Sequence, residues 1–332
     1  MAEQRINWVD WAKVITIILV VFGHCSFWGE AVFFQNLVYS FHVPLFFLLS
    51  GYLHKDSSDF KSYISKNVKS LVVPYLLLNI LVLCCVILPG MILHNNFMHF
   101  EYYITCILIG YGHAPAGPCW FLVCLFLVKI YAYAILKSKL PLQIAVMVVA
   151  PLIAIFVLVV VSNESVNFLL SNPLYSFCAI PFFIVGYHLK KVDLPTILTR
   201  RLAVFIALVA LAFLVALNEV QGFAGLGAFG RYPLLYYPAA FIGCILVICV
   251  CLLLNNKQNK MIITLSSGTI LILALHPVLY KIFAKFGQMP HSALPNIVVS
   301  ILITILLYYP IVIVQKYIPV LIGRRKIKIN QP

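Results

Sequence analysis

Charge is what this sequence has least of. Asp, Glu, Lys and Arg make up only 10% of its 332 residues, hydrophobic residues make up 63%, and the mean hydropathy is +1.04. Soluble globular domains carry about 25% charged residues. A water-facing surface cannot be assembled from this composition, which places the chain among multi-span membrane proteins. No small-residue cleavage pattern follows the first apolar run, so no cleavable signal is expected. So little polar sequence also leaves no expected room for an appended soluble catalytic domain. The ten cysteines include no C-x-x-C pair, and most fall within apolar runs. There a thiol behaves as a small hydrophobe, so neither disulfides nor a metal site is expected.

What is present is a succession of apolar runs of roughly twenty residues, the length that carries a helix across about 30 Å of hydrocarbon. The runs fall near 9–28, 36–54, 70–93, 118–136, 142–161, 173–189, 202–217, 234–254, 262–283 and 295–316. The stretch Tyr102–Gly112 is a candidate re-entrant element. Basic residues follow every second run: Lys55, Lys61, Lys66 and Lys69, then Lys137 and Lys139, Lys190 to Arg201, Lys257 and Lys260, and Arg324 to Lys328. The opposite loops hold little beyond Arg231 and Lys285. This alternation satisfies the positive-inside rule. It predicts an all-α polytopic membrane helix bundle of about ten transmembrane helices with both termini cytoplasmic, and 1–332 as one domain. The net charge of +14 is then topology and not a nucleic-acid surface, for no groove-reading or stacking element accompanies it.

Ionisable groups inside spans are costly and commonly functional. Here they are Asp10, Lys13, His24, His42, Lys129, His276 and Lys281. Lys129 and Lys281 are placed to snorkel or to line a cavity. Lys13 and His24 lie eleven residues apart, close to three helical turns, so they project from nearly one stripe about 16 Å apart along the axis. Asp10 falls one turn before Lys13, within pairing reach. With spans alternating in direction, His42 and His276 return to the depth of His24, which suggests one shared site. The plainer reading of each imidazole is an interhelical hydrogen bond, worth about 0.6 kcal/mol in membranes.

Asp10-Trp-Ala-Lys13, with His24 eleven residues on, resembles the R/K-x10-H signature of the acyltransferase-3 family of integral membrane acyltransferases. Phe46-Phe47-Leu48-Leu49-Ser50-Gly51-Tyr52 resembles its F-F-x-x-S-G-[FY] motif, and Lys66-Asn67-Val68-Lys69 stands at its R-x-x-R motif. Trp120-Phe121-Leu122, Pro181-Phe-Phe-Ile-Val-Gly-Tyr187 and Ala274-Leu-His-Pro277 are similar to further family motifs. The resemblance covers essentially the whole chain. It departs where Lys13, Lys66 and Lys69 replace arginine, which keeps the charge but loses the planar fork that grips phosphate.

The resemblance implies an acyl-CoA-dependent O-acyltransferase without a metal, in the bacterial cytoplasmic membrane. It would move an acetyl or other short acyl group from cytoplasmic acyl-CoA, acetyl-CoA above all, to a hydroxyl of a surface glycan or lipid-linked precursor. The fucose-4-O-acetylase type is the subgroup that the Phe41-His42-Val43-Pro44 segment resembles. His24 is then expected as general base or acyl carrier, with Lys13 and Asp10 on its stripe. Lys13, Lys66 and Lys69 are expected to bind the CoA phosphates, while Lys61, Arg200 and Arg201 read as topology. His42, Ser50, Trp120 and His276 would shape the site, and Arg231 and Glu219 are candidate acceptor contacts. A polytopic transporter or flippase using the same charges as a substrate path is the alternative, and a non-catalytic polysaccharide-export subunit is a third reading.

Overall fold

A computed structural model describes residues 5–25, 31–161, 164–257, 259–286 and 292–324. The end of the first expected run (Ser26 to Trp28) and Arg325, Lys326 and Lys328 lie outside the described residues. The chain is an all-α helix bundle; among the described residues the sole β feature is an isolated bridge between Gly225 and Ala228. Helix α1 (Asn7–Gly23) is followed by α2 (Val32–Tyr52), α3 (Phe60–Leu93), the short α4 (Phe100–Ile109) and α5 (Gly117–Ile135). Then come α6 (Leu140–Val161), α7 (Phe168–Leu189), α8 (Arg200–Gln221), α9 (Pro233–Leu253), α10 (Lys260–Ser267), α11 (Thr269–Lys285) and α12 (Ala293–Tyr317). Eight of the described helices are long and apolar enough to cross a membrane, and α10 with α11 forms a ninth if taken as one broken span. Helix α1, at 17 residues and about 26 Å, accounts for the remaining apolar run.

Helices α6 and α8 turn most of their apolar side chains outward, with Phe205, Leu208 and Phe213 each at least 60% exposed. Such faces suit lipid, which is as apolar as leucine and supplies no drive to bury them. The interior is built on α1, α2, α7 and α9, where Trp8, Phe47, Phe182 and Tyr236 are fully buried. Helices α2 and α7 meet backbone to backbone: a Cβ on Gly51 would lie 1.9 Å from the Phe183 carbonyl oxygen, and one on Gly186 would lie 2.0 Å from that of Leu48. Two of the sequence motifs therefore interlock through their glycines, the small-residue contact by which membrane helices associate.

Three departures from regular helix position the site. Helix α2 breaks at Ser40–Phe41. Helix α3 starts at Phe60 because the Asp59 carboxylate caps the amides of Lys61 and Ser62, and it carries π turns at Val68–Val72 and Leu83–Ile87. Helices α10 and α11 bend by 81° at Gly268, against whose missing side chain Ile311 of α12 packs; the expected run 262–283 is thus broken and not straight.

The Tyr102–Gly112 stretch holds all but the first two residues of α4 and then enters an irregular loop that leads into α5. Buried polar side chains satisfy that loop. Tyr75 Oη donates to the Ile107 carbonyl at 2.7 Å, the Ala116 amide donates to Asn79 Oδ1 at 2.9 Å, and Asn172 Nδ2 donates to the Gly110 carbonyl at 2.5 Å. Non-helical backbone is tolerated at membrane depth only where protein or a polar cavity receives its hydrogen bonds. Tyr75 and Asn79 lie well along α3, so the loop dips into the bundle as a re-entrant element does.

Candidate active site

Two cavities lie along α1. The first, of about 790 Å3, is lined by Arg5, Lys13, Lys55, Lys66, Lys129 and Arg324, against the carboxylates of Asp10 and Asp56. Residues near the two ends of the chain and from the loop after α2 meet here. The start of α1 is also tied to the loop after α9, the Trp11 indole donating to the Lys257 carbonyl at 2.9 Å. All these segments belong to the side that the lysine pattern assigns to the cytoplasm. A cavity with six cationic and two anionic side chains is suited to a polyanion.

Asp10 has partners that its spacing to Lys13 did not announce. Its carboxylate accepts from Arg5 at 3.0 and 2.8 Å and from Ser266 Oγ at 2.5 Å. It fixes Arg5 at the cavity edge, about 21 Å along the axis from His24. Lys66 lines the cavity and Lys69 does not. Lys69 falls within the π turn Val68–Val72, whereas Lys66 lies in the α-helical turn before it. His54 also lines this cavity, 3.8 Å from Asp56. Burial, then the Lys129 charge, pushes it down to about 4 against the pull of Asp56, so it is neutral at pH 7.

The second cavity, of about 70 Å3, is lined by Ile17, Val20 and His24 of α1, His42 and Phe46 of α2, Pro118 and Trp120 of α5, and Leu273 of α11. That is room for a few waters or a small acyl group. His24 follows α1 directly as its C-cap. Its ring centre lies 5.1 Å from that of His276 and 6.3 Å from that of Tyr39, which in turn is 5.0 Å from His42. The three imidazoles are thus brought together.

Local backbone fixes two of them. The break in α2 frees the Val38 carbonyl from the regular α-helical bond, and His42 Nδ1 sits 2.8 Å from it. His276 Nδ1 sits 3.0 Å from the Ile272 carbonyl. A carbonyl only accepts, so each Nδ1 bears the hydrogen and each neutral ring keeps its Nε2 lone pair. The Nε2 of His276 is buried and has no hydrogen-bond partner among the described residues.

Lys13 lines the first cavity and Ile17 the second. These residues are one helical turn apart, about 6 Å along the axis. Of the other expected site residues, Trp120 lines the second cavity, whereas Ser50 lines none of those described. Glu219 and Arg231 are exposed, with the Arg231 guanidinium 5.5 Å from the Tyr232 ring centre, and they line no described cavity either. Reasoning from sequence missed Arg5, Arg324, His54 and Tyr39. A one-dimensional pattern could have flagged His54, two residues after the Ser-Gly-Tyr motif, but not the two arginines that meet only in the fold.

An all-α bundle with eight or more membrane-length helices, a basic cavity and a histidine cavity along one helix is the class of structure in hand. The sequence profile of the family described as "Acyltransferase domain" matches residues 6–314, and the chain belongs to that family of membrane acyltransferases. The chain is also 30% identical over 155 residues to nodulation protein NolL of Sinorhizobium fredii (strain NBRC 101917 / NGR234), a match covering 42% of this chain and 40% of that protein. The match thus spans well under two thirds of the relative's length. No solved structure matches the chain.

Proposed function

We propose that this acyltransferase takes a short acyl group, acetyl in the first instance, from acyl-CoA at the cytoplasmic cavity. The acceptor is a hydroxyl of a surface glycan or its lipid-linked precursor, presented from the other side of a bacterial cytoplasmic membrane. The phosphates lie among Lys13, Lys66, Lys129, Arg5 and Arg324, and the acyl-pantetheine arm follows the α1 stripe toward His24. A sugar hydroxyl is a weak nucleophile at neutral pH. His24, as general base, takes its proton while the hydroxyl oxygen bonds to the thioester carbonyl carbon. The C–S bond then breaks, and the imidazolium returns the proton to the departing thiolate. His276, with its Nε2 lone pair unpaired beside the His24 ring, is placed to steady that imidazolium.

The single observation that supports this reading is that Lys13 and Ile17, one turn apart on α1, line a basic cavity and the histidine cavity respectively. The test is reconstitution with acetyl-labelled CoA and an acceptor glycan. His24→Ala should abolish acyl transfer, by at least about 100-fold, while acetyl-CoA still binds. Transfer that persists in His24→Ala sinks the assignment, and substrate crossing the bilayer without CoA dependence returns the transporter.

A further inference from the structure

A third cavity, of about 250 Å3, is bounded by Tyr111, His113, Trp120, Asn172 and Tyr175. It borders the re-entrant loop, away from the basic cavity. Among the described residues no Asp, Glu, Lys or Arg lines it, so they offer no counter-charge to an ionic ligand. Asn172 is 2% exposed, and its Nδ2 donates to the carbonyls of Ile109 and Gly110 at 3.3 and 2.5 Å. Those carbonyls accept only, which fixes the amide: Oδ1 is left as the free acceptor, and it has no hydrogen-bond partner among the described residues. A buried acceptor without a donor is unfavourable until a ligand supplies one.

The rest of the lining suits the same ligand. Trp120 and Tyr175 meet edge to face with centres 5.4 Å apart. His113, held by Tyr102 Oη at 3.0 Å from its Nδ1, stands at the exposed rim. Aromatic walls with a few fixed polar groups are how a site grips a ring that is apolar on its faces and hydroxylated at its edge. Trp120 also lines the histidine cavity, so a ring held here is one side chain away from His24.

We propose that this cavity is the acceptor subsite, binding the pyranose ring of an uncharged sugar. Asn172 Oδ1 accepts from a ring hydroxyl, and Trp120 is the wall past which the acylated hydroxyl reaches His24. The proposal rests on the acyltransferase reading above and adds the residues and the charge class of the acceptor. The full-length protein in nanodiscs is titrated with methyl glucoside, methyl galactoside, methyl fucoside and methyl glucuronide, followed by saturation-transfer NMR. Acetyl-CoA binding and acetyl transfer are measured in parallel.

At least one neutral glycoside should bind and the glucuronide should bind at least tenfold more weakly. Asn172→Ala should weaken the neutral sugar about tenfold or more and leave acetyl-CoA affinity unchanged. Because Asn172 also holds the loop, His113→Ala at the exposed rim is the second variant, expected to weaken the sugar several-fold with the fold intact. No binding by any neutral glycoside, equal binding of the glucuronide, or unchanged affinity in both variants overturns the proposal. Sugar binding without acetyl transfer in the unaltered protein would instead overturn the enzymatic reading and leave the subsite standing. Transfer indifferent to both variants would do the reverse.

Discussion

Replacing Gly51 by alanine tests whether the Ser-Gly-Tyr segment is chemistry or packing. The new Cβ would lie 1.9 Å from the Phe183 carbonyl oxygen, where 3.0 Å is the practical floor for such contacts, so α2 and α7 must part by about 1.1 Å. The obstacle is backbone and cannot rotate away. The cost therefore falls toward the upper end of the 1–3 kcal/mol typical of overpacking. By the scaling of soluble domains about 3 kcal/mol lowers the melting temperature of a chain this long by about 4 °C, readable by thermal unfolding in detergent with a thiol-reactive dye. Gly186→Ala strains the same seam from the other side, 2.0 Å from the Leu48 oxygen. Helices already parted by the first substitution accommodate the second, so the double variant should cost clearly less than the sum. Acyl transfer should fall along with stability, since α2 also carries His42. Ser50→Ala should stay within about 0.5 kcal/mol. Unchanged stability in Gly51→Ala, or additive costs in the pair, would refute the interlocked seam.

Further outcomes follow from the cavities. Lys13→Met and Lys66→Met should each weaken acetyl-CoA about tenfold, the order expected for one charge at a few ångströms in a partly solvated site. Each should also flatten the salt dependence of binding, checked by calorimetry at two salt concentrations; Lys69→Met should change affinity less than twofold. His54 binds its proton near the ordinary 6.5 when unfolded and only at about 4 when folded. Its contribution to stability is therefore complete above pH 6.5 and is lost as pH falls toward 4. Melting at pH 7 and pH 5 should show about 2 kcal/mol less stability at the lower pH from this group, and His54→Gln should remove that difference. His276→Phe should lower kcat at least tenfold with acetyl-CoA affinity unchanged, because it removes the unpaired Nε2 beside His24 without opening a void.

Much of the bundle was readable because membrane composition is so constraining. Runs of about twenty apolar residues are enough to give the spans. The convergence of His24, His42 and His276 was legible as depth, since alternating span direction returns them to one level. What could not be read was anything set by irregular backbone. The π turn after Asn67 holds Lys69 but not Lys66, and the α2 break orients His42. The bend at Gly268 divides α10 from α11. Each departs from the 3.6-residue period on which stripe arguments rest. Pairing at Asp10 was missed for another reason: Arg5 lies before the helix and Ser266 lies 256 residues away, so no helical spacing announces either. Motif identity also did not announce packing: Gly51 and Gly186 bring α2 and α7 backbone to backbone, a contact that no spacing along the chain reveals.

On the function proposed above, the two cavities on α1 would also sort a substrate by polarity. Phosphate is expensive to carry into a bilayer interior, by at least several kcal/mol per charge even when softened by water, whereas an acetyl thioester is neutral and small. A donor whose charged end stayed with Lys13 and Lys66 would need to send only an uncharged arm the roughly 16 Å along the axis to His24. The same reasoning bears on the choice of base. A carboxylate at the depth of His24 would be ionised only at great cost, while an imidazole is neutral at rest and becomes charged only during proton transfer. Asp10, the one carboxylate on the stripe, sits instead near the start of α1, where Arg5 neutralises it. Lysine at one end of the apolar run and histidine at the other are thus the pair that a charged donor and a buried acceptor reaction would each demand.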